Sequence, residues 1–157
     1  MDAVATDDLT TYELERGKPM PGWNHSRSQT GLILEFSSVR EKYDIASELT
    51  LELGGKFYTP DISIYAKRPT DWQHEIVRMT EAPLIAIEIL SSSQGFNSIS
   101  PKIDAYFEHG VQTAWVVHPE IQTVTIFTSP NEKKVHTGGI VTDPKTEISA
   151  DLSRVFA

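Results

Sequence analysis

Two carboxylates in this sequence stand where chemistry is plausible. Glu88 lies inside the apolar run Leu84-Ile85-Ala86-Ile87-Glu88-Ile89-Leu90, and Asp61 follows Pro60 at the head of Asp61-Ile62-Ser63-Ile64-Tyr65. A carboxylate buried among isoleucines is costly unless a cation or a hydrogen-bond network satisfies it. If the two segments are neighbouring strands, both carboxylates can face one cleft. Paired carboxylates, completed by water and phosphate oxygens, suit Mg²⁺, and such an ion polarises a phosphoryl oxygen and activates water. Lys102 opens a predicted helix just beyond the Glu88 strand, and its ammonium could offset charge developing on an anionic substrate. A second reading needs no catalysis: an ion pair between Glu88 and Lys102 explains both residues. Asp61 can equally be a strand-start residue.

These residues need strands and helices to hold them. The run 84–90 is short, β-branched and almost wholly apolar, which predicts a strand buried on both faces. Residues 57–65 predict a strand, with Ile62 and Ile64 on one face and Asp61, Ser63 and Tyr65 on the other. Ser47 to Leu53 alternates and predicts another strand, turned by Gly54-Gly55. The polar stretch 66–83 reads as a long connection, with room for one helical turn. Ser100-Pro101 predicts a helix start, serine as N-cap and proline at the first position, running to Gly110. Residues 113–117 and 122–127 predict a hairpin of strands, residues 133–142 a further short strand, and residues 151–156 a terminal helical turn. The order strand 84–90, helix, strand 113–117 predicts a βαβ unit with a right-handed crossover. The expected fold class is α/β (α+β), a mixed central β-sheet flanked by helices.

Near the start, residues 10–15 have strand character, and Lys18-Pro19-Met20-Pro21-Gly22 reads as a turn. Asn24 is a good N-cap for a helix carrying Leu32, Ile33 and Phe36 as its apolar stripe. Steps of four extend that stripe back through Gln29 to His25. A histidine there is either a partly buried structural residue or one that lines a cleft.

Composition narrows the classes. The 157 residues suit one domain, residues 1–157, with an acidic lead at 1–9. Hydrophobic residues make up 39% and charged residues 23%, as in soluble globular proteins. The lead carries no hydrophobic stretch, which predicts no secretory signal and places the protein in the cytoplasm. No apolar run has membrane-spanning length. There are no cysteines, so disulfides and thiolate metal sites are excluded. The net charge of −8 argues against strong nonspecific binding to nucleic acid, though not against a local basic groove or a metal-screened one.

The residues Tyr12-Glu13-Leu14, Gly17-Lys18, Asn24-His25, Pro60-Asp61-Ile62-Ser63-Ile64-Tyr65, Ile87-Glu88-Ile89-Leu90-Ser91, Lys102, Tyr106-Phe107, Gly110-Val111 and Trp115-Val116-Val117 occur in an order that resembles the Uma-type putative restriction endonuclease family, within the PD-(D/E)XK nuclease superfamily. The resemblance spans roughly residues 10 to 130. It implies a restriction-endonuclease-like fold and a Mg²⁺- or Mn²⁺-dependent endonuclease acting on DNA. By that resemblance Asp61 and Glu88 bind metal, Lys102 is the lysine moved from the usual position (here Leu90) to the following helix, and Glu13 and His25 complete the pocket, with Glu15 as a weaker match for Glu13. It also implies a homodimer, an expectation shared by short strands that leave a sheet edge. Two departures stand out: Ser91-Ser92 replaces the family's Ser-Pro, and Ser98 and Pro101 stand where acidic residues often precede the helix lysine. The alternative function is a catalytically degenerate module that binds nucleic acid or protein. A small-molecule hydrolase has no positive support in the sequence.

Overall fold

The structure, a computed structural model, describes Lys18 and residues 20–157. Helix α1 spans Trp23–Phe36. Its buried residues His25, Ser28, Leu32 and Phe36 recur at steps of three and four, the spacing that puts one stripe of a helix against a core. Asn24 does not cap it. The chain arrives extended at Gly22, which is the N-cap without a side-chain hydrogen bond, and Asn24 falls inside the first turn. The predicted strand 10–15 lies outside the described residues.

A six-stranded mixed sheet forms the centre, in the order β1-β4-β5-β6-β7-β8. Its strands are β1 (Tyr43–Ser47), β4 (Ile62–Ala66), β5 (Ile85–Ile89), β6 (Thr113–His118), β7 (Thr123–Ser129) and β8 (Glu132–His136). Among the described residues only the β5–β6 pairing within it is parallel. Helix α2 (Phe96–Glu108) provides the crossover between those two strands, so the βαβ unit is present.

β4 and β5 pair antiparallel, with Ile62 opposite Ile87 and Ile64 opposite Ile85. Side chains alternate across a strand, so the two faces of the sheet build two cores. Ile62, Ile64, Ile85, Ile87, Ile89 and Trp115 pack with Leu32 and Phe36 of α1. Ala86, Leu90, Ala114 and Val116 pack with Ile99, Ile103 and Tyr106 of α2. Burial on both faces explains why the 84–90 run is almost uninterruptedly apolar.

Several boundaries differ from the sequence reading. α2 begins at Phe96, and Pro101 lies inside it. The stripe Ile99, Ile103, Tyr106 is buried as a unit, so the turn carrying Ile99 must be helical, and packing outweighs the backbone hydrogen bond that proline removes. The expected strand 47–53 is broken at Glu48, whose φ of 55° lies in the left-handed region. β1 ends before it, and β2 (Leu51–Leu53) begins after it. β2 turns through Gly54 and Gly55, both at positive φ, into β3 (Lys56–Tyr58), as a two-residue hairpin loop requires. The expected strand 57–65 is likewise split into β3 and β4. Residues 133–142 hold parts of two strands rather than one. β8 closes the large sheet, while β9 (Ile140–Thr142) pairs with β10 (Ser149–Asp151) in a separate ribbon. The short helix α3 (Leu152–Val155) follows, capped by Asp151, whose carboxylate accepts the Ser153 amide.

The connection between β4 and β5 is long and irregular. Among the features that tie it down are a bridge between Leu51 and Met79, and the Tyr65 hydroxyl donating to the Glu81 carbonyl at 2.8 Å.

Candidate active site

Asp61 sits immediately before β4, fully buried. Pro60 ahead of it favours extended backbone and supplies no N–H, so the chain enters the sheet at a fixed angle. The Asp61 carbonyl accepts the Glu48 amide at 3.1 Å and the Gln29 side-chain amide at 3.0 Å. These bonds anchor it to β1's end and to α1. Its Oδ2 accepts the backbone N–H of Ile89, on the neighbouring strand β5, at 2.7 Å. The other oxygen, Oδ1, lies 2.7 Å from Lys18 Nζ and 3.1 Å from His25 Nε2.

Glu88 occupies the fourth position of β5 and is 1% exposed. The strand's period of two sends it to the α2 side with Ala86. There Tyr106 donates its hydroxyl to Glu88 Oε1. Oε2 lies 3.3 Å from Lys18 Nζ. Each carboxylate therefore commits its outer oxygen to a fixed donor and turns its inner oxygen toward the same ammonium.

Lys18 is itself 4% exposed. A buried ammonium between two buried carboxylates is the arrangement in which each charge compensates the others' desolvation. Burial alone would push the Asp61 carboxyl up. His25 alongside and the Lys18 charge outweigh that and hold it at about 2, below its ordinary 3.8. Tyr106 moves the opposite way. Burial, reinforced by the negative charge of Glu88, raises its phenol well above the usual 10, so it stays a proton donor.

His25 projects from the first turn of α1, and neither ring nitrogen completes a hydrogen bond among the described residues despite the short approach to Asp61. It also borders a cavity of about 620 Å³, with Trp23, Ser91, Ser93, His118 and Glu120 among its walls. The cavity lies at the ends of β5 and β6, with His25 between it and Asp61.

Of the residues singled out from sequence, the structure brings Asp61, Glu88 and His25 together. Lys102 lies half-buried on α2 and lines a different cavity of about 400 Å³ with Lys56, Tyr58 and His109. Among the described residues no hydrogen bond or ion pair joins it to Asp61 or Glu88. Glu13 lies outside the described residues. Lys18 is the residue the sequence reading passed over as part of a turn. Its partners are 43 and 70 positions away, beyond any local pattern. Two signals were available: the demand of Glu88 for a cation, and the place of Gly17-Lys18 among the residues that carry the family resemblance.

Comparison with known proteins agrees with this architecture. The model of the Uma2 family, described as putative restriction endonuclease, matches residues 8–154. The chain belongs to the Uma2 family. It is also similar to a putative nuclease of the DUF820 group from Anabaena variabilis ATCC 29413, solved by crystallography, at 28% identity and a TM-score of 0.75. That similarity covers 88% of this Uma2 chain and 83% of the Anabaena chain. Among curated proteins none matches. The mixed sheet flanked by helices is thus the nuclease-type fold of this family.

The PD-(D/E)XK pattern implies a divalent ion, and the donors fit one. Asp61 Oδ1 and Glu88 Oε2 already converge on a single cation, the Lys18 ammonium. Mg²⁺ is commonly held by one or two carboxylates, with water and substrate phosphate filling the remaining positions. Among the described residues no group of three or more His, Asp or Glu forms a cage able to hold the ion by protein ligands alone.

Proposed function

We propose that this chain is a Mg²⁺- or Mn²⁺-dependent endonuclease that hydrolyses phosphodiester bonds in DNA. The observation that carries the reading is the convergence of Asp61 Oδ1 and Glu88 Oε2 on one cation position, beside a cavity bordered by His25. In this reading Asp61 and Glu88 hold the ion. When bound, it polarises a phosphoryl oxygen and makes water more acidic. The fixed bonds from Ile89 N–H and the Tyr106 hydroxyl aim the two carboxylates and keep their outer oxygens from turning inward. His25 stands between Asp61 and the cavity, where it orients a water or phosphate oxygen brought in by the substrate. The family resemblance adds Glu13, outside the described residues, to the residues assigned a role in this reading. The acidic balance of the chain makes the ion the main local attraction for a phosphate.

The second reading is a nuclease-fold module that binds without cutting. The Lys18 ammonium favours it, since a positive charge already stands between the carboxylates.

The test is cleavage of plasmid and linear DNA in Mg²⁺ or Mn²⁺ by the parent and by Asp61→Asn, a near-isosteric change. Loss of one ion-holding carboxylate removes several kcal/mol of transition-state stabilisation, a rate loss of about 10³-fold. Equal cleavage by Asp61→Asn would sink the assignment. A parent that binds DNA but never cuts it, with either ion present, favours the binding module.

A further inference from the structure

We propose that the strand to be cut enters unpaired and that Trp23 takes one of its bases by stacking, so that the chain prefers single-stranded DNA to duplex. The inference rests on the nuclease reading and names the substrate class of the same site.

Trp23 opens α1, two residues before His25. It is 75% exposed, and with His25 it lines the cavity of about 620 Å³. An indole left in water gives up the burial that a large aromatic ring offers. Arg27, one turn further along α1, holds its guanidinium 5.8 Å from the indole centroid, within cation–π range. Trp23 and Arg27 together line a smaller cavity of about 150 Å³. The indole therefore borders both cavities, and its cation partner belongs to the smaller one.

The large cavity has the size of sites that enclose small molecules. It has room for a nucleotide and not for a duplex. A base shows its π face to a side chain only when it is unpaired and unstacked, and every base has such a face. Stacking on Trp23 thus selects unpaired DNA without selecting sequence. In the same wall, the hydroxyls of Ser91 and Ser93 can donate to phosphate oxygens. Glu120 repels a phosphate and can accept from the exocyclic amine of a base.

The same chemistry continues past the cavity. His118, in its wall, meets the Phe96 ring edge-on, with centroids 6.3 Å apart. Phe96 is 39% exposed, and the Lys133 ammonium lies 5.3 Å from its centroid. Exposed aromatic rings accompanied by cations are the means by which proteins hold single strands. Exposure alone does not single out Trp23, because Trp72 is 91% exposed. Trp72 lies in the connection between β4 and β5, at the strand ends remote from Asp61 and Glu88. It lines neither cavity.

The experiment is fluorescence anisotropy of a labelled single strand, and of the same sequence as a duplex, titrated with the full chain. Ca²⁺ replaces Mg²⁺, since it takes the same oxygen ligands. The parent is expected to bind the single strand more tightly than the duplex. Trp23→Leu is expected to weaken single-strand binding about 5- to 150-fold, the loss of one stacked base. Trp23→Phe keeps a π face and restores most of that affinity, and Trp72→Leu matches the parent. A 2-aminopurine placed in the strand is quenched by the parent and not by Trp23→Leu. Failure of the parent to bind the single strand, a preference for duplex, unchanged binding by Trp23→Leu or an equal loss in Trp72→Leu overturns the proposal. Cleavage in Mg²⁺ or Mn²⁺ separates it from the nuclease reading. Trp23-dependent binding with no cleavage sinks the nuclease reading and leaves the stacking site. Cleavage of single strand and duplex by Trp23→Leu at the parent's rates sinks the stacking site and leaves the nuclease.

Discussion

Tyr106 and Glu88 are joined hydroxyl to carboxylate across the interface between α2 and β5. Tyr106 is fully buried and meets Tyr58 edge-on, with ring centroids 5.7 Å apart. The crossover helix therefore does two jobs at once: it covers one face of the sheet, and it fixes the direction of the carboxylate at its centre. Tyr106→Phe keeps the ring and removes the donor. Leaving Glu88 Oε1 without its partner is expected to lower stability by about 1–3 kcal/mol, measured by urea denaturation.

Asp61 makes the site acid-sensitive. Its carboxyl is held at about 2 in the folded chain against an ordinary 3.8. A depressed folded value means stability that is present above about pH 4 and lost as pH falls through about 2. The contribution is about 2 kcal/mol. Denaturation curves collected with a chelator present should show the parent losing this increment between about pH 4 and 2, while Asp61→Asn shows no such step. An identical acid profile for the two proteins would remove Asp61 as its source.

A third buried carboxylate, Asp143, serves the architecture. Asp143 accepts from the Thr113 hydroxyl at 2.6 Å and the Trp115 indole at 2.9 Å through Oδ1. Its Oδ2 accepts the amides of Lys145 and Thr146 and the Thr146 hydroxyl. The loop after β9 is in this way bolted to β6. Asp143→Ala strands several donors at once and is expected to cost about 3–5 kcal/mol, with cleavage per folded molecule unchanged. A thermal or urea midpoint equal to the parent's would contradict this role.

Gly54 carries a backbone requirement. Its φ is +60°, and an added Cβ would meet His109 Nε2 at 2.4 Å. The His109 ring cannot swing away freely, because its Nδ1 lies 2.8 Å from the Ala105 carbonyl. Gly54→Ala combines a left-handed residue with that close approach and is expected to destabilise by about 1–2 kcal/mol. Gly55→Ala meets no atom within 4 Å and should lose only the conformational part, so the difference in their urea midpoints isolates the His109 contact.

What could be read from the sequence follows the range of the forces involved. The β5 run was legible because burial on both faces demands an unbroken apolar string. The parallel pairing with β6 followed from a helix of sufficient length between two such strings. His25 was reachable because helical spacing ties it to Leu32 and Phe36. β1 was missed because, among the described residues, it ends the sheet, and Tyr43 and Ile45 are only half-buried, which dilutes the apolar signal. The start of α2 was misplaced because a local rule, proline at the first turn, competed with the burial of Ile99. Lys18 was invisible to any local rule, since its burial depends on a chain path that brings it to strands far along the sequence.

The single parallel pairing has one more consequence. Because β5 and β6 run the same way, the segments leaving them, Leu90 to Ser93 and His118 to Glu120, emerge side by side and both line the large cavity. The carboxylates, by contrast, are fastened from within the sheet and from α2. Substitutions or insertions in those two exit segments can therefore remodel the cavity while leaving Asp61 Oδ1 and Glu88 Oε2 where they are. The fold thus separates the segments that shape the cavity from the bonds that fix the two carboxylates.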